Sequence, residues 1–203
     1  MRSKIAGIAF IFGSLYYMVA EGISAFAFND SLVNTYLFHT ISELGIPNVN
    51  SPLSFLMNSA FIIIGLSLLF GNFYKFKDFI IKNKAVFYIL TPITSIGVII
   101  VALIHAGNPI TAGYHSLGAV MAILGGNVLL VIISRAMDKF ETYQKITLTL
   151  GIIGFIAFWA MFFNMESICM PIFERISVYT LIIWSFLTGV YLVKDNVSSN
   201  DLS

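Results

Sequence analysis

Three histidines and several carboxylates lie at the ends of apolar segments, where ionisable side chains are costly and tend to serve a function. If residues 38–44 are helical, His39 and Glu43 stand four apart and share one face. Such a pair suits a proton relay, a metal site or a simple ion pair. In a catalytic role, His39 or His115 would act as the general base, and Glu43 would orient it or bind a metal.

These residue types could also bind a divalent cation such as zinc, with His39, His105, His115 and Glu43 as candidate ligands. His105 ends one apolar run and His115 opens the next, so both imidazoles should lie at the same membrane boundary. The sequence contains no HExxH or CxxC motif, and the candidate ligands come from separate segments. The cofactor therefore stays unassigned, and hydrogen bonds to loop carbonyls are the favoured role of these histidines.

A second group of polar residues lies within the apolar runs or at their ends. Glu21 falls about one turn inside the first run, where an unpaired carboxylate would be expensive, and Asn58 lies at a similar depth in the second. Arg175 opens the last run, where it could bind a lipid phosphate or a substrate carboxylate, or pair with Glu174 beside it. These residues favour a binding pocket, although hydrogen bonding between helices explains Asn58 equally well.

The composition indicates an integral membrane protein. Of the 203 residues, 58% are hydrophobic and 10% are charged, and the mean hydropathy is +0.90. Soluble domains carry roughly 25% charged residues. The net charge of +1 gives no reason to expect a nucleic-acid partner, so membrane lipids are the expected surroundings.

Apolar runs of about the length that crosses a bilayer predict six transmembrane helices in one all-α bundle, with residues 1–203 as a single domain. These runs cover residues 5–26, 52–73, 85–106, 114–134, 146–165 and 175–193. The first run also resembles a cleavable signal peptide, but its length and Glu21 favour a retained helix. Between the first two runs, apolar residues at helical spacing predict a short amphipathic outer segment.

Basic residues indicate the orientation of the bundle. They flank the first run and follow the second, fourth and sixth, as Arg2, Lys4, Lys75, Lys77, Lys82, Lys84, Arg135, Lys139, Lys145 and Lys194. By the positive-inside rule, both termini and two loops are cytoplasmic, and Arg175 lies outside. The sequence therefore predicts a multi-pass cell-membrane protein whose polar site faces outward.

Three stretches together resemble the domain-of-unknown-function 998 family of six-helix membrane proteins. They are HTISELG at 39–45, HAGNPITAGYHSLGAVMAILGGN at 105–127 and FERISVYTLIIW at 173–184. The resemblance covers nearly the whole chain and implies a shared site that includes Ser42, Glu43, His115 and Arg175. A more distant likeness is to zinc hydrolases related to alkaline ceramidase, but the late HxxxH pair of those enzymes is missing here.

The sequence leaves three classes of function open. The first is a protein that binds or moves a small molecule or lipid through a polar pocket, using Glu21, Ser42, Asn58, His105 and Arg175. The second is an outward-facing hydrolase or transferase that acts on a lipid or envelope substrate. The third is an assembly or immunity-type protein whose helices engage another membrane protein. The oligomeric state also stays open.

Overall fold

The computed structural model of the protein describes residues 1–137 and 141–200, with side chains up to residue 194. Lys139, one of the basic residues cited above, lies outside the described residues. The helices in chain order are α1 Arg2–Phe26, α2 Leu32–Phe38, α3 Ile41–Leu44, α4 Ser54–Tyr74, α5 Lys84–Leu103, α6 Ala112–Ala119, α7 Gly125–Ser134, α8 Glu141–Phe163 and α9 Met170–Asn200. A π-helical turn, Val120–Leu124, joins α6 and α7 into one continuous segment.

Six of these segments are long and apolar enough to cross a membrane, which confirms the predicted all-α bundle of six spans. Helix α8 begins at Glu141 and α9 at Met170, several residues before the predicted runs. The early turns of α8 are polar, and α9 has Pro171 in its first turn, where proline is tolerated. Because the number of spans is even, the chain begins and leaves the sixth span on the same side of the bundle.

Glycines allow the long helices to pack closely. A Cβ atom built on Gly7 of α1 would lie 2.6 Å from the carbonyl oxygen of Gly189 in α9. A Cβ atom on Gly97 of α5 would lie 2.6 Å from the backbone nitrogen of Ala122 and 2.7 Å from the carbonyl oxygen of Gly118. Small residues at such contacts let helix backbones approach each other within a membrane.

Residues 27–53, which we call the cap, cover one end of the bundle and contain α2 and α3. Ser31 accepts a hydrogen bond from the Asn34 N–H at the start of α2, and Thr40 forms a reciprocal capping box with Glu43 at the start of α3. Ile41 and Leu44, the first and last residues of α3, are fully buried. The exposed apolar side chains of α2 match the predicted amphipathic segment, since such a helix lies at the membrane surface. They are Leu32, Val33, Leu37 and Phe38.

The loops at the opposite end of the bundle contact each other. Ile80 and Met137 form an isolated antiparallel bridge, and the Ile81 N–H donates to the Ala136 carbonyl at 2.9 Å. This end also carries the described basic residues that adjoin the spans, which are Arg2, Lys4, Lys75, Lys77, Lys82, Lys84, Arg135, Lys145 and Lys194. The two ends of the bundle therefore differ in charge.

We expect Gly97→Ala to lower the apparent melting temperature of the detergent-purified protein by several degrees. The added methyl group would press on backbone atoms of the 112–134 span, and overpacking of this kind costs roughly 1–3 kcal/mol. Gly22→Ala is the matched control, because no atom lies within 4 Å of its Cβ position. Equal melting temperatures for the two variants would contradict this close approach of α5 to its neighbour.

Candidate functional site

A buried ion pair joins α1 to α9 beneath the cap. The Arg175 Nε atom lies 3.3 Å from Glu21 Oε1, and the exposed fractions of the two residues are 5% and 0%. The Tyr179 hydroxyl donates to the same carboxylate oxygen at 2.9 Å. Predicted site residues from the two ends of the sequence therefore meet in the interior.

The rest of the Arg175 guanidinium binds the cap. Its Nη1 donates to the His39 carbonyl at 2.6 Å, and its Nη2 donates to the Thr35 carbonyl at 3.3 Å. The guanidinium also lies 5.0 Å from the centre of the Tyr36 ring, which is cation–π range. Protein groups thus surround this side chain, which the sequence also offered as a ligand for a phosphate or carboxylate.

The adjacent Glu174 binds the cap through separate contacts. Its Oε2 accepts the Ile41 N–H at 2.7 Å, and its Oε1 accepts the Ser42 hydroxyl at 3.2 Å. The carboxylate thereby satisfies a free N–H in the first turn of α3. The sequence offered a local pair with Arg175, but the ion pair forms with Glu21, because consecutive residues of a helix do not face each other.

Ser42 also lies beside an oriented imidazole. The Ser42 Oγ atom is 3.1 Å from His115 Nε2, and His115 Nδ1 is 2.6 Å from the Ile104 carbonyl oxygen. A carbonyl accepts hydrogen bonds and donates none, so Nδ1 carries the proton. In neutral His115, the Nε2 lone pair therefore points toward the serine hydroxyl, which is the geometry of a nucleophile beside a general base.

His39 lies between two carboxylates at the surface of the cap. Its Nδ1 is 2.7 Å from Glu43 Oε2, and its Nε2 is 3.2 Å from Asp30 Oδ2. Hydrogen bonds from the Asn34 side chain and the Ser31 N–H lower the pKa of Asp30 and favour its charged form. Both contacts of His39 are satisfied together when the imidazole is protonated, because each ring nitrogen then donates.

The third histidine has a different set of contacts. The Asn58 side-chain amide donates to His105 Nε2 at 3.1 Å and to the Gly45 carbonyl at 2.8 Å. A Cβ atom on Gly45 would lie 2.5 Å from Asn58 Oδ1, so glycine permits this approach of the cap to α4. Asn58 and His105 therefore help to hold the end of α3 in place.

The predicted site residues thus form separate groups. His39 meets Glu43, Ser42 meets His115, Asn58 meets His105, and Glu21 meets Arg175, as the contacts above describe. Among the residues that the structure describes, no three His, Cys, Asp or Glu side chains are grouped so as to hold a metal ion. Sequence reasoning missed Asp30 and the Ile104 carbonyl, and neither residue carries a motif that would mark it.

A narrow cavity of about 50 Å³ lies inside the bundle below α3. Aliphatic residues from several spans form much of its wall, among them Ile64, Val101, Ala122 and Leu181. Tyr17, Ser42 and Glu174 are the polar residues that line it. The Tyr17 hydroxyl is buried and has no hydrogen-bond partner among the described residues. The cavity therefore combines an apolar interior with polar groups, one of which is unsatisfied.

Comparisons with known proteins return no family model, no curated protein and no solved structure that matches this chain. The resemblance to the domain-of-unknown-function 998 family therefore stays a prediction based on its motifs. Function has to be argued from the cavity and from the side chains around it.

We expect Glu21→Gln and Arg175→Gln each to lower the apparent melting temperature of the detergent-purified protein by roughly 10 °C. Removal of one partner leaves the other charge buried, which costs about 3–5 kcal/mol. The double variant should recover part of this loss, because it leaves neither charge alone.

The exposed pair of Glu141 and Lys145, whose side chains are 81% and 73% exposed, provides the matched control. Glu141→Gln should shift the melting temperature little, since surface pairs contribute about 0–1 kcal/mol. A Glu21→Gln variant as stable as Glu141→Gln would refute the structural role of the buried pair.

Proposed function

We propose that this membrane protein binds an amphiphile whose apolar chain enters the cavity and whose polar group meets Tyr17, Ser42 and Glu174. The unpartnered Tyr17 hydroxyl carries the proposal. A buried hydroxyl without a partner costs about 1–3 kcal/mol, and a ligand acceptor would remove that cost. This arrangement of an apolar pocket with a few converging polar groups is typical of small-molecule sites.

The lining groups define the chemistry of the ligand. Tyr17 donates a hydrogen bond, the Glu174 carboxylate accepts one, and Ser42 can do either. A hydroxyl group next to an alkyl chain can satisfy all three residues because it both donates and accepts, whereas an ester group can accept from Tyr17 and Ser42. The cavity of about 50 Å³ has room for a few water molecules, so the inserted part is slender. A lipid or lipid-like molecule that has a polar group next to a slender alkyl chain meets these requirements.

The charge difference between the two ends supports an outward-facing site in the cell membrane. The basic residues adjoin the spans at the end opposite the cap, which the positive-inside rule assigns to the cytoplasm together with both termini. The ligand would then reach the cavity from the outer leaflet. The motif resemblance to the domain-of-unknown-function 998 family is part of the same proposal.

Tritiated 1-O-decylglycerol, an ether, is the binding probe, measured on purified protein in nanodiscs with empty nanodiscs as background. Ala122→Phe should abolish specific binding, because the ring fills the cavity. Tyr17→Phe should weaken binding by roughly 2- to 10-fold, the value of one hydrogen bond.

Two neighbouring substitutions provide controls for this experiment. Val120→Phe places the same ring at an exposed position of the same span, and Tyr16→Phe removes a hydroxyl that bonds to Ser59 instead. Both should bind the probe as the wild type does. Wild-type affinity in Ala122→Phe, or no specific binding in the wild type, would overturn the proposal.

The single cysteine of the sequence allows a direct test of orientation. Cys169 is free and exposed in the loop between α8 and α9, at the cap end. A membrane-impermeant maleimide should label it on intact cells. Lys82→Cys in a Cys169→Ser background should react with the maleimide only after the cells are permeabilised, since Lys82 is exposed at the opposite end of the bundle. The reverse pattern would place the cap in the cytoplasm.

A further inference from the structure

We propose that Ser42 is the nucleophile of an acyl-transfer reaction on an ester whose acyl chain lies in the cavity, with His115 as its general base. The inference rests on the proposed function, because the cavity supplies the substrate site. It adds a covalent step that simple binding does not need. The argument uses three features: the serine–histidine contact, the orientation of the imidazole, and the polar groups that line the cavity.

The serine and histidine form a nucleophile–base pair. Ser42 Oγ lies 3.1 Å from His115 Nε2, within the hydrogen-bond reach that proton transfer requires. The Ile104 carbonyl at 2.6 Å from Nδ1 holds the ring in the tautomer whose Nε2 can accept the serine proton. A backbone carbonyl thus takes the orienting position that a carboxylate occupies in a serine–histidine–aspartate triad.

Ser42 lies at the cavity, at the position where an acyl chain bound in the cavity would present its carbonyl carbon. Ser42 lines the cavity, whose other walls are mainly apolar, while His115 does not line it and is 6% exposed. A chain that extends into the bundle would bring the ester group to Ser42 at the cap. Tyr17 lines the same cavity, and its hydroxyl, which has no hydrogen-bond partner in the described part of the chain, can donate to the ester oxygen.

The reaction balances with an ester and water. Ser42 Oγ attacks the carbonyl carbon and transfers its proton to His115 Nε2, and the bond from carbon to the alkoxy oxygen breaks. The imidazolium returns that proton to the leaving alcohol, which leaves an acyl-serine. Water then attacks the acyl carbon and gives a proton to His115 Nε2. The bond from the acyl carbon to Ser42 Oγ breaks, Oγ takes that proton from the imidazolium, and a carboxylic acid is released.

Glu174 has a positioning role in this scheme. Its carboxylate accepts hydrogen bonds from the Ile41 N–H and from the Ser42 hydroxyl, so it fixes the first turn of α3 and the serine within it. The single proton of the Ser42 hydroxyl can go to Glu174 Oε1 at 3.2 Å or to His115 Nε2 at 3.1 Å, and attack requires the O–H to point to His115. The attacking oxygen is thereby held between them.

The experiment uses the full-length protein in nanodiscs, a decyl fluorophosphonate as a probe of the nucleophile, and p-nitrophenyl decanoate as an ester. Peptide mass spectrometry should find the phosphonate on Ser42. Ser42→Ala should abolish both the adduct and ester turnover, whereas Ser116→Ala, at an exposed position of α6, should retain both. Elution profile and melting temperature confirm that each variant is folded.

His115→Gln tests the base. It should slow phosphonylation of Ser42 by roughly 100-fold or more and flatten the rise of the rate with pH that the wild type shows. Ser116→Ala should leave both the rate and the pH profile unchanged, because its exposed hydroxyl donates to the Ala112 carbonyl on the surface of α6. A purely structural role for His115 would lower the melting temperature without changing the shape of the pH profile.

The outcomes separate this inference from the proposed function. If the wild type binds 1-O-decylglycerol but forms no adduct on Ser42, or forms it on another residue, acyl transfer is refuted and ligand binding stands. If the adduct forms on Ser42 and the ether does not bind, the nucleophile stands and the cavity is not its substrate site. Absence of both results refutes both proposals.

Discussion

The ion pair between Glu21 and Arg175 is the interaction on which the arrangement of the cap depends. It joins the first and last spans in the interior, and the same guanidinium binds carbonyl groups of α2 and of the link to α3. The two buried charges are paired with each other, and both Nη atoms of Arg175 donate to carbonyl oxygens, whereas Glu21 Oε2 has no hydrogen-bond partner among the described residues. The end of the bundle that bears the cap is therefore organised around one side chain of α9.

The neighbouring Glu174 extends this organisation to α3. Adjacent residues of one helix thus hold two parts of the cap, Arg175 at the end of α2 and Glu174 at the start of α3. Both contacts come from the long helix α9, and they place Ser42 at the cavity and beside His115. A site on a short loop segment gains precision when a long helix supports it.

The six spans and the amphipathic cap could be predicted from the sequence, because continuous apolar runs have few alternatives in a membrane. The separation of the histidines into three groups could not, since it depends on how the loops fold over the bundle. The long-range pairing of Glu21 with Arg175 joins positions that belong to different helices, and no spacing rule links them. Ser42 was marked by the motif resemblance alone, and its contact with His115 required the fold.

The π-helical turn Val120–Leu124 sets the rotational phase between the two halves of its span. Above it, His115 meets Ser42, and below it, Asn127 donates to the Ser177 carbonyl on α9. Loss of one residue from this turn would rotate one half against the other by about 100°, the angle per residue of an α-helix. Such a deletion leaves the hydrophobic length of the span almost intact, but it breaks either the contact of His115 with Ser42 or that of Asn127 with Ser177. Insertions and deletions in this stretch are therefore constrained by angle rather than by membrane thickness.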